Sequence, residues 1–335
     1  MKYSEAIRRA IQDSMRSNPR MLILGQGVWS PFYVGQTMDG IENEFGRERV
    51  LDTPVSENAV TGIALGAALT GSPTLVIHPR MDFMILAMDP IVNAAAKWRY
   101  ALDWKGTIPL TVRAIINRGG EQGAQHSQSL QSWFAHIPGL RVVMPSSPKD
   151  AYFLLRSCLE SPDPCIYIED RWNYGIDEEF DANEPIPKLS DISSEVIIQG
   201  ENLTLVSLGF GVHQSTSAAQ ELKELGINVE VIDLKILNPM NFDVIFKSVK
   251  KTGSLVVVDA SWQNCSVGSE IVASVVTNCL EYLKSPPIRM SLPAAPAPTS
   301  PALEKQYYFS IQDIYETIIE SLQRKTNSRK EKDEN

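Results

Sequence analysis

Two side chains carry chemistry that their surroundings do not explain away. Glu57, in "DTPVSENAVTGIALGAALTG" (52–71), falls where a helix is predicted to begin. A carboxylate there either complements the positive end of the helix dipole or serves a ligand. The small residues Gly62, Gly66 and Ala67 give that helix a face that can approach another backbone closely, so the helix is expected to be buried. A buried carboxylate needs a partner, because an unpaired charge away from water is costly. His126, in "NRGGEQGAQHSQS" (117–129), sits in a glycine-bearing loop after a predicted strand. It is either a neutral, hydrogen-bonded histidine or a group for proton transfer. The chain has three more histidines. His78 ends a strand and points to the same sheet end. His136 is expected to pack beside Trp133 and Phe134, and His213 to cap or border the first helix of the second half. His126 and Ser127, as neighbours in a loop, do not make a nucleophile pair.

The elements that must hold these groups alternate along the chain. Strands are predicted at 21–25, 74–78, 110–116, 141–145 and 165–170, with helices from Ser4 to Asn18 and at 82–101, 130–136 and 148–160 between them. Continuous Val/Ile/Leu strands separated by helices imply a parallel sheet covered on both faces. Ligands of such sheets collect at the carboxyl ends of the strands, where His126 is expected. Residues 176–197, acidic and proline-bearing, suit a linker. The alternation then restarts as "LTLVSLG", a helix over 213–225, "VEVIDL", a helix over 242–250, "SLVVVDA" and a helix over 268–283. The expected organisation is therefore α/β, with two mainly parallel-sheet domains at 1–175 and 198–323. "PAAPAPTSP" (293–301) reads as a surface crossing, the last helix as 310–323, and the charged stretch 324–335 as a disordered tail.

With 335 residues the chain is long enough for two cores. Its formal net charge of -9 argues against a nucleic-acid footprint, which needs a basic face. No run approaches the ~20 apolar residues that span a bilayer, and the N-terminus reads as an amphipathic helix, not a secretory signal. The four cysteines (158, 165, 265, 279) form no C-x-x-C pair, so neither zinc nor a disulfide framework is indicated. A reduced, cytoplasmic protein is expected. There is no G-x-G-x-x-G after a strand, no P-loop, no G-x-S-x-G and no H-E-x-x-H.

"RVLDTPVSENAVTGIALGAALTG", "DPIVNAAAKWRY", "GAQHSQSLQSWFAHIPGLRVVMPSSPKDA" and "PCIYIED" resemble the beta subunit of thiamine-diphosphate-dependent 2-oxo acid dehydrogenases, a group with pyruvate, branched-chain and acetoin members. "VVVDASWQNCSVGSEI" and "SPALEK" are similar to that family's C-terminal domain. The resemblance runs in order from Tyr3 to about Ile319. It implies a transketolase-like pyrimidine-binding domain followed by a transketolase C-terminal domain. It also implies a site shared with an alpha subunit that holds the diphosphate and Mg²⁺ through a G-D-G…N motif. This chain contains no G-D-G, so an alpha2-beta2 heterotetramer is expected, and a lipoyl acyltransferase core is a further possible partner. Glu57 matches the family glutamate that hydrogen-bonds a ring nitrogen of the aminopyrimidine and favours its imino tautomer. Phe83 falls where the family has an aromatic residue against the pyrimidine, though it also reads as a core phenylalanine. His126 matches the histidine facing the substrate side, where it would stabilise the intermediate or assist acyl transfer to a lipoyl group. Gln125, Ser127 and Gln128 flank it as substrate-side residues or as residues that order the loop.

Departures from the family pattern bear on detail. Gln26 stands where relatives usually carry an acid, so a proton relay between paired sites would lack that acid here. His78, Pro79 and Arg80 replace a plainer pattern beside the cofactor, and Arg80 could bind a substrate carboxylate or phosphate or make an interface salt bridge. The resemblance implies decarboxylation of a 2-oxo acid and transfer of the acyl group to lipoyl-lysine. His78, Arg80 and the charged tail favour an alternative, a split transketolase or carboligase that transfers to an aldehyde or sugar. A non-catalytic interface subunit would have no need of Glu57 and His126.

Overall fold

In the computed structural model, residues 1–120 and 122–333 are described, and they divide into two compact units. The first holds Met1–Arg118, Gln125–Ile192 and Leu237–Pro239, the second Gly119–Ala124, Ser193–Ile236 and Met240–Asn335.

The first unit runs α1 (Tyr3–Ser17), β1 (Leu22–Gly25), α2 (Ile41–Phe45), β2 (Val50–Asp52), α3 (Glu57–Leu69), β3 (Thr74–His78), α4 (Met81–Met84), α5 (Trp98–Ala101), β4 (Leu110–Ile116), α6 (Gln131–Ala135), β5 (Arg141–Val143), α7 (Pro148–Leu159) and β6 (Cys165–Asp170). The sheet order is β10-β5-β6-β4-β3-β1-β2, with Ile236–Asn238 forming β10 at one edge. The pairings β5/β6, β6/β4, β4/β3, β3/β1 and β1/β2 are all parallel. Every residue of β3, β4 and β6 is buried, as expected for strands covered on both faces. Between β4 and β6 lies a buried ion pair: Arg113 donates from Nε and Nη2 to the two carboxylate oxygens of Glu169, at 3.0 and 2.6 Å. Arg113 Nη2 also donates to Thr37 Oγ1 at 2.7 Å, tying the 26–40 segment to the sheet.

The predicted single helix over 82–101 is broken. Met81–Met84 is α-helical, Ile85–Ala87 a 3₁₀ turn, Asp89–Ala95 a π-helix and Trp98–Ala101 a last α turn. Pro90 lacks the N–H that would continue the α ladder, and its ring displaces the preceding turn. The expectation for α3 also needs correcting. Its buried stripe is Val60, Thr61, Ala64, Leu65 and Ala68. A Cβ at Gly62 or Gly66 would meet nothing within 4 Å, and Ile63 is 62% exposed. The small-residue face is thus uncovered within this chain.

The second unit contains β7 (Glu195–Ile198), β8 (Leu203–Ser207), α8 (Phe210–Glu224), β9 (Val229–Asp233), α9 (Asp243–Thr252), β11 (Leu255–Trp262), α10 (Val267–Cys279), β12 (Ile288–Leu292), α11 (Pro301–Tyr307) and α12 (Ile311–Asp333). Its sheet order is β12-β11-β8-β9-β7, parallel except for the antiparallel β7 edge. Leu205, Val231, Val256, Ile314 and Ile318 form its core. Two segments differ from expectation. β7 begins inside the stretch read as linker, because Glu195 and Val196 pair with Asp233 and Ile232. α12 continues through 324–333, which was read as tail; the Arg324–Glu320 pair lies within it, and Lys325 Nζ donates to the carbonyls of Asn202 and Thr252 at 2.9 and 2.8 Å. Glu334 and Asn335 lie outside the described residues.

Candidate active site

The order β4-β3-β1-β2 makes a reversal in the first sheet. The chain steps from β1 to β2 on one side, then crosses back to β3 on the other. Loops leaving β1 and β3 diverge to opposite faces there, which opens a crevice at the strands' carboxyl ends. A cleft of about 390 Å³ occupies that place. It is lined by Gly25 and Gln26 after β1, Thr53–Glu57 after β2, His78–Arg80 and Phe83 after β3, and His126 after β4.

The cleft floor requires Gly25. A Cβ there would lie 2.7 Å from the Ile77 carbonyl oxygen, so any side chain would push β1 from β3. At Gly27, with φ +68°, a Cβ would strike the Tyr33 ring at 2.2 Å. Gly27 N–H donates to Asp52 Oδ1 at 2.7 Å, and Gln26 Nε2 donates to Tyr33 Oη at 3.0 Å, so the β1 loop is closed on itself.

Glu57 is the first residue of α3 and is half-buried. Its carboxylate makes no hydrogen bond or ion pair with another described residue and opens on the cleft. The carboxylate sits at the positive end of the α3 dipole. α3 is pinned from behind: Thr61 Oγ1 and His78 Nε2 are 3.0 Å apart, one turn beyond Glu57. His78 is 3% exposed, and burial lowers its pKa from 6.5 to about 4. The ring is therefore neutral at physiological pH, part of the wall that fixes α3 and not a proton donor.

A stability prediction follows from the sign of that shift. Between pH 6.5 and about 4 the unfolded chain protonates His78 while the folded chain does not. The stability contributed by the neutral ring is present above pH 6.5 and is lost as pH falls through this window, by up to about 3 kcal/mol. Urea unfolding of the wild type and His78→Phe at pH 7 and 4.5 should show the smaller loss in the variant. Equal losses would mean that His78 charges freely in the fold.

Phe83, on α4, is 38% exposed. Its ring meets His126 edge-on, with centroids 5.3 Å apart and planes at 84°. His126 is half-buried. Its loop is fixed by side chains on both flanks. Arg118 Nη2 lies 2.9 Å from Asp170 Oδ2 and donates to Ser129 Oγ at 2.9 Å. Asn117 Nδ2 donates to the Pro79 carbonyl at 3.1 Å.

Glu57, Phe83, His78, Arg80 and His126 thus share one cleft, whereas Gln125 is exposed and not part of its wall. His136 is exposed at the end of α6, contrary to the packing expected beside the half-exposed Trp133 and the buried Phe134. His213 is exposed on the first turns of α8, its ring 5.7 Å from Phe210. Sequence reasoning missed Asp82, a buried carboxylate beside this cleft, whose only signal was one acid in an apolar run between Arg80 and Phe83. No described group of three or more His, Cys, Asp or Glu could hold a metal ion, and no described helix is long and apolar enough to cross a membrane.

Residues 1–176 match the transketolase pyrimidine-binding domain and residues 193–314 the transketolase C-terminal domain. The chain is 36% identical to the beta subunit of acetoin:2,6-dichlorophenolindophenol oxidoreductase from Bacillus subtilis, covering 96% of this chain and 97% of that one. It is 34% identical to the pyruvate dehydrogenase E1 component subunit beta of Rhizobium meliloti, over 95% of this chain and 69% of the relative. Identity to the 2-oxoisovalerate dehydrogenase subunit beta of Bacillus subtilis is 33%, over 96% and 98%. A split-gene transketolase, solved as an inactive beta4 tetramer, shares the fold with a TM-score of 0.78 at 18% identity, over 97% of this chain and 99% of that one. The chain belongs to the family of 2-oxo acid dehydrogenase beta subunits, built from transketolase pyrimidine-binding and C-terminal domains.

Proposed function

We propose that this chain is the beta subunit of a thiamine-diphosphate-dependent 2-oxo acid dehydrogenase, which decarboxylates a 2-oxo acid and passes the acyl group to a lipoyl acceptor. The observation that carries this reading is the convergence of a free carboxylate, an open aromatic ring and a histidine in one cleft at the sheet reversal. That donor set suits an aminopyrimidine: Glu57 offers one acidic contact to a ring nitrogen, and Phe83 an apolar face for the ring. Thiamine diphosphate, when bound, supplies the electron sink for the pair released as carbon dioxide leaves. Glu57 holds and moves the proton at the ring nitrogen. His126, across from Phe83, moves a proton at the substrate carbonyl oxygen and on the thiol side of acyl transfer. Arg80, the cationic side chain of the cleft wall, holds the substrate carboxylate.

The diphosphate and Mg²⁺ belong, in this reading, to an alpha subunit in an alpha2-beta2 assembly. The uncovered α3 face supports a close-fitting partner there: Gly62, Ile63 and Gly66 are exposed, as are Val55 and Leu86 at the cleft rim. Small residues let a second helix approach closely, and an apolar rim gains from being covered.

The test is reconstitution with an alpha subunit, a screen of 2-oxo acids with an artificial electron acceptor, and acylation of a lipoyl domain. Lipoyl acylation is expected. Transfer to an aldehyde or sugar alone would make the chain a carboligase or split-transketolase subunit. In the same assay, Arg80→Ala should raise KM for the 2-oxo acid by about tenfold or more, since a charge-assisted hydrogen bond contributes about 1.5–3 kcal/mol. An unchanged KM would remove Arg80 from the substrate site.

A further inference from the structure

Asp82 has no part in the chemistry above, yet its burial is hard to account for as packing. It lies in the first turn of α4, is only 2% exposed, and sits between the cleft residues Arg80 and Phe83. Oδ1 accepts the backbone N–H of Gln128 at 2.9 Å, two residues after His126. Oδ2 is closed off from solvent and has no hydrogen-bond partner among the described residues. Against the cost of burying this carboxylate stand the Gln128 backbone bond, a side-chain contact from Gln128 and attraction to His126 itself.

What it does is visible in the surrounding contacts. The neighbouring residue, Met81, accepts the Leu130 N–H on its sulfur at 3.4 Å, and the other neighbour, Phe83, meets the His126 ring. Three consecutive residues of α4 therefore hold three alternate positions of the loop: His126, Gln128 and Leu130. Only the Asp82 contact is a charge-assisted hydrogen bond, the strong kind in this set. Arg118 to Ser129 secures the same loop from the sheet side, so the loop is held between two groups.

We propose that Asp82 is the positioning residue for His126: its Oδ1 latches the loop at Gln128 and thereby holds the imidazole against Phe83 over the cleft. A latch two residues away suffices, because the backbone between His126 and Gln128 is short and already held at Ser129. Burial pushes the Asp82 carboxyl up and the Gln128 contact pulls it back, in keeping with a group that the loop itself stabilises. The inference rests on the proposed role of His126, and its test separates the two.

The test uses the full chain assembled with its alpha partner and three variants: Asp82→Ala, Asp82→Asn and His126→Ala. Asparagine keeps an Oδ1 acceptor and loses the charge, whereas alanine removes the acceptor. Hydrogen exchange of the 122–130 segment should quicken by ~10-fold or more in Asp82→Ala and clearly less in Asp82→Asn, which keeps the acceptor but not its charge, as local opening follows the lost bond. Acyl transfer to a lipoyl domain should fall by ~10-fold or more in Asp82→Ala while decarboxylation with an artificial acceptor falls far less, because a misplacement of about 1 Å is that costly. Asp82→Asn should recover most of the transfer lost in Asp82→Ala. Unchanged exchange in Asp82→Ala, or equal damage by alanine and asparagine, overturns the latch. If Asp82→Ala does not assemble, Asp82→Ser, which keeps a polar group too short to reach Gln128, takes its place with the same expectations. Quickened exchange with His126→Ala fully active in transfer would keep the latch and reject the role of His126.

Discussion

Glu57→Gln should lower turnover by at least ~10²-fold while leaving folding and assembly intact, the loss expected when a positioned proton-transfer group is removed. Glutamine matches glutamate in size and still reaches the cleft, but its amide has no ionisable proton to transfer. The structure gives little reason for a stability change. The Glu57 carboxylate has no bonded partner among the described residues, so no ion pair is broken. What is lost is its interaction with the α3 dipole, worth about 0.3–1 kcal/mol. Thermal unfolding and co-elution with the alpha subunit should therefore match the wild type within that margin. Both half-reactions should fall together, because in the proposed function the Glu57 proton contact comes before decarboxylation. Near-normal turnover in a well-assembled variant would refute the proton role and return Glu57 to a helix-start carboxylate.

The reason Glu57 could be singled out from sequence is instructive about what else could be. A helix start after a strand, with a small-residue face, is a local pattern, and α3 begins where it indicates. The buried strands β1, β3, β4 and β6 were equally legible, since a strand covered on both faces is mostly apolar, Arg113 and Glu169 being accommodated as a buried pair. The breaks in 82–101 were not, although Pro90 signalled one, because a helical period persists across 3₁₀ and π turns. Short edge elements escaped for a different reason. β7 has the half-exposed pattern of an edge strand and takes its identity from pairing with β9, which no local signal announces. β12 is likewise only partly buried, and α11 starts at Pro301, the last residue of a stretch that composition assigns to a loop. At the site, the residue types were legible and their partners were not. His78 was read toward the cleft, but only the fold supplies Thr61 behind it. Asp82 was invisible because its meaning lies in a bond to a backbone 46 positions away.

His126→Ala should divide the two half-reactions that Glu57→Gln lowers together. Decarboxylation measured with an artificial acceptor should retain a substantial fraction of the wild-type rate, whereas acyl transfer to a lipoyl domain should drop by ~10²-fold or more, the scale of one acid–base group. The geometry motivates the asymmetry. Glu57 reaches the cleft from the β2 side and His126 from the β4 side, at opposite ends of the four-strand row. In the proposed function, a group across the cleft from Glu57 is placed to serve the incoming acceptor. Removing the ring costs the edge-on contact with Phe83, about 0.5–1.5 kcal/mol, too little to unfold the loop that Asp82 and Arg118 hold. Loop collapse is therefore not an adequate explanation of a lost transfer step, and hydrogen exchange of 122–130 in the variant can verify that. Equal losses in both half-reactions would place His126 at the same step as Glu57. A residue acting there should instead show the Glu57 pattern when replaced, which makes the ratio of the two rates, and not either rate alone, the quantity that assigns it.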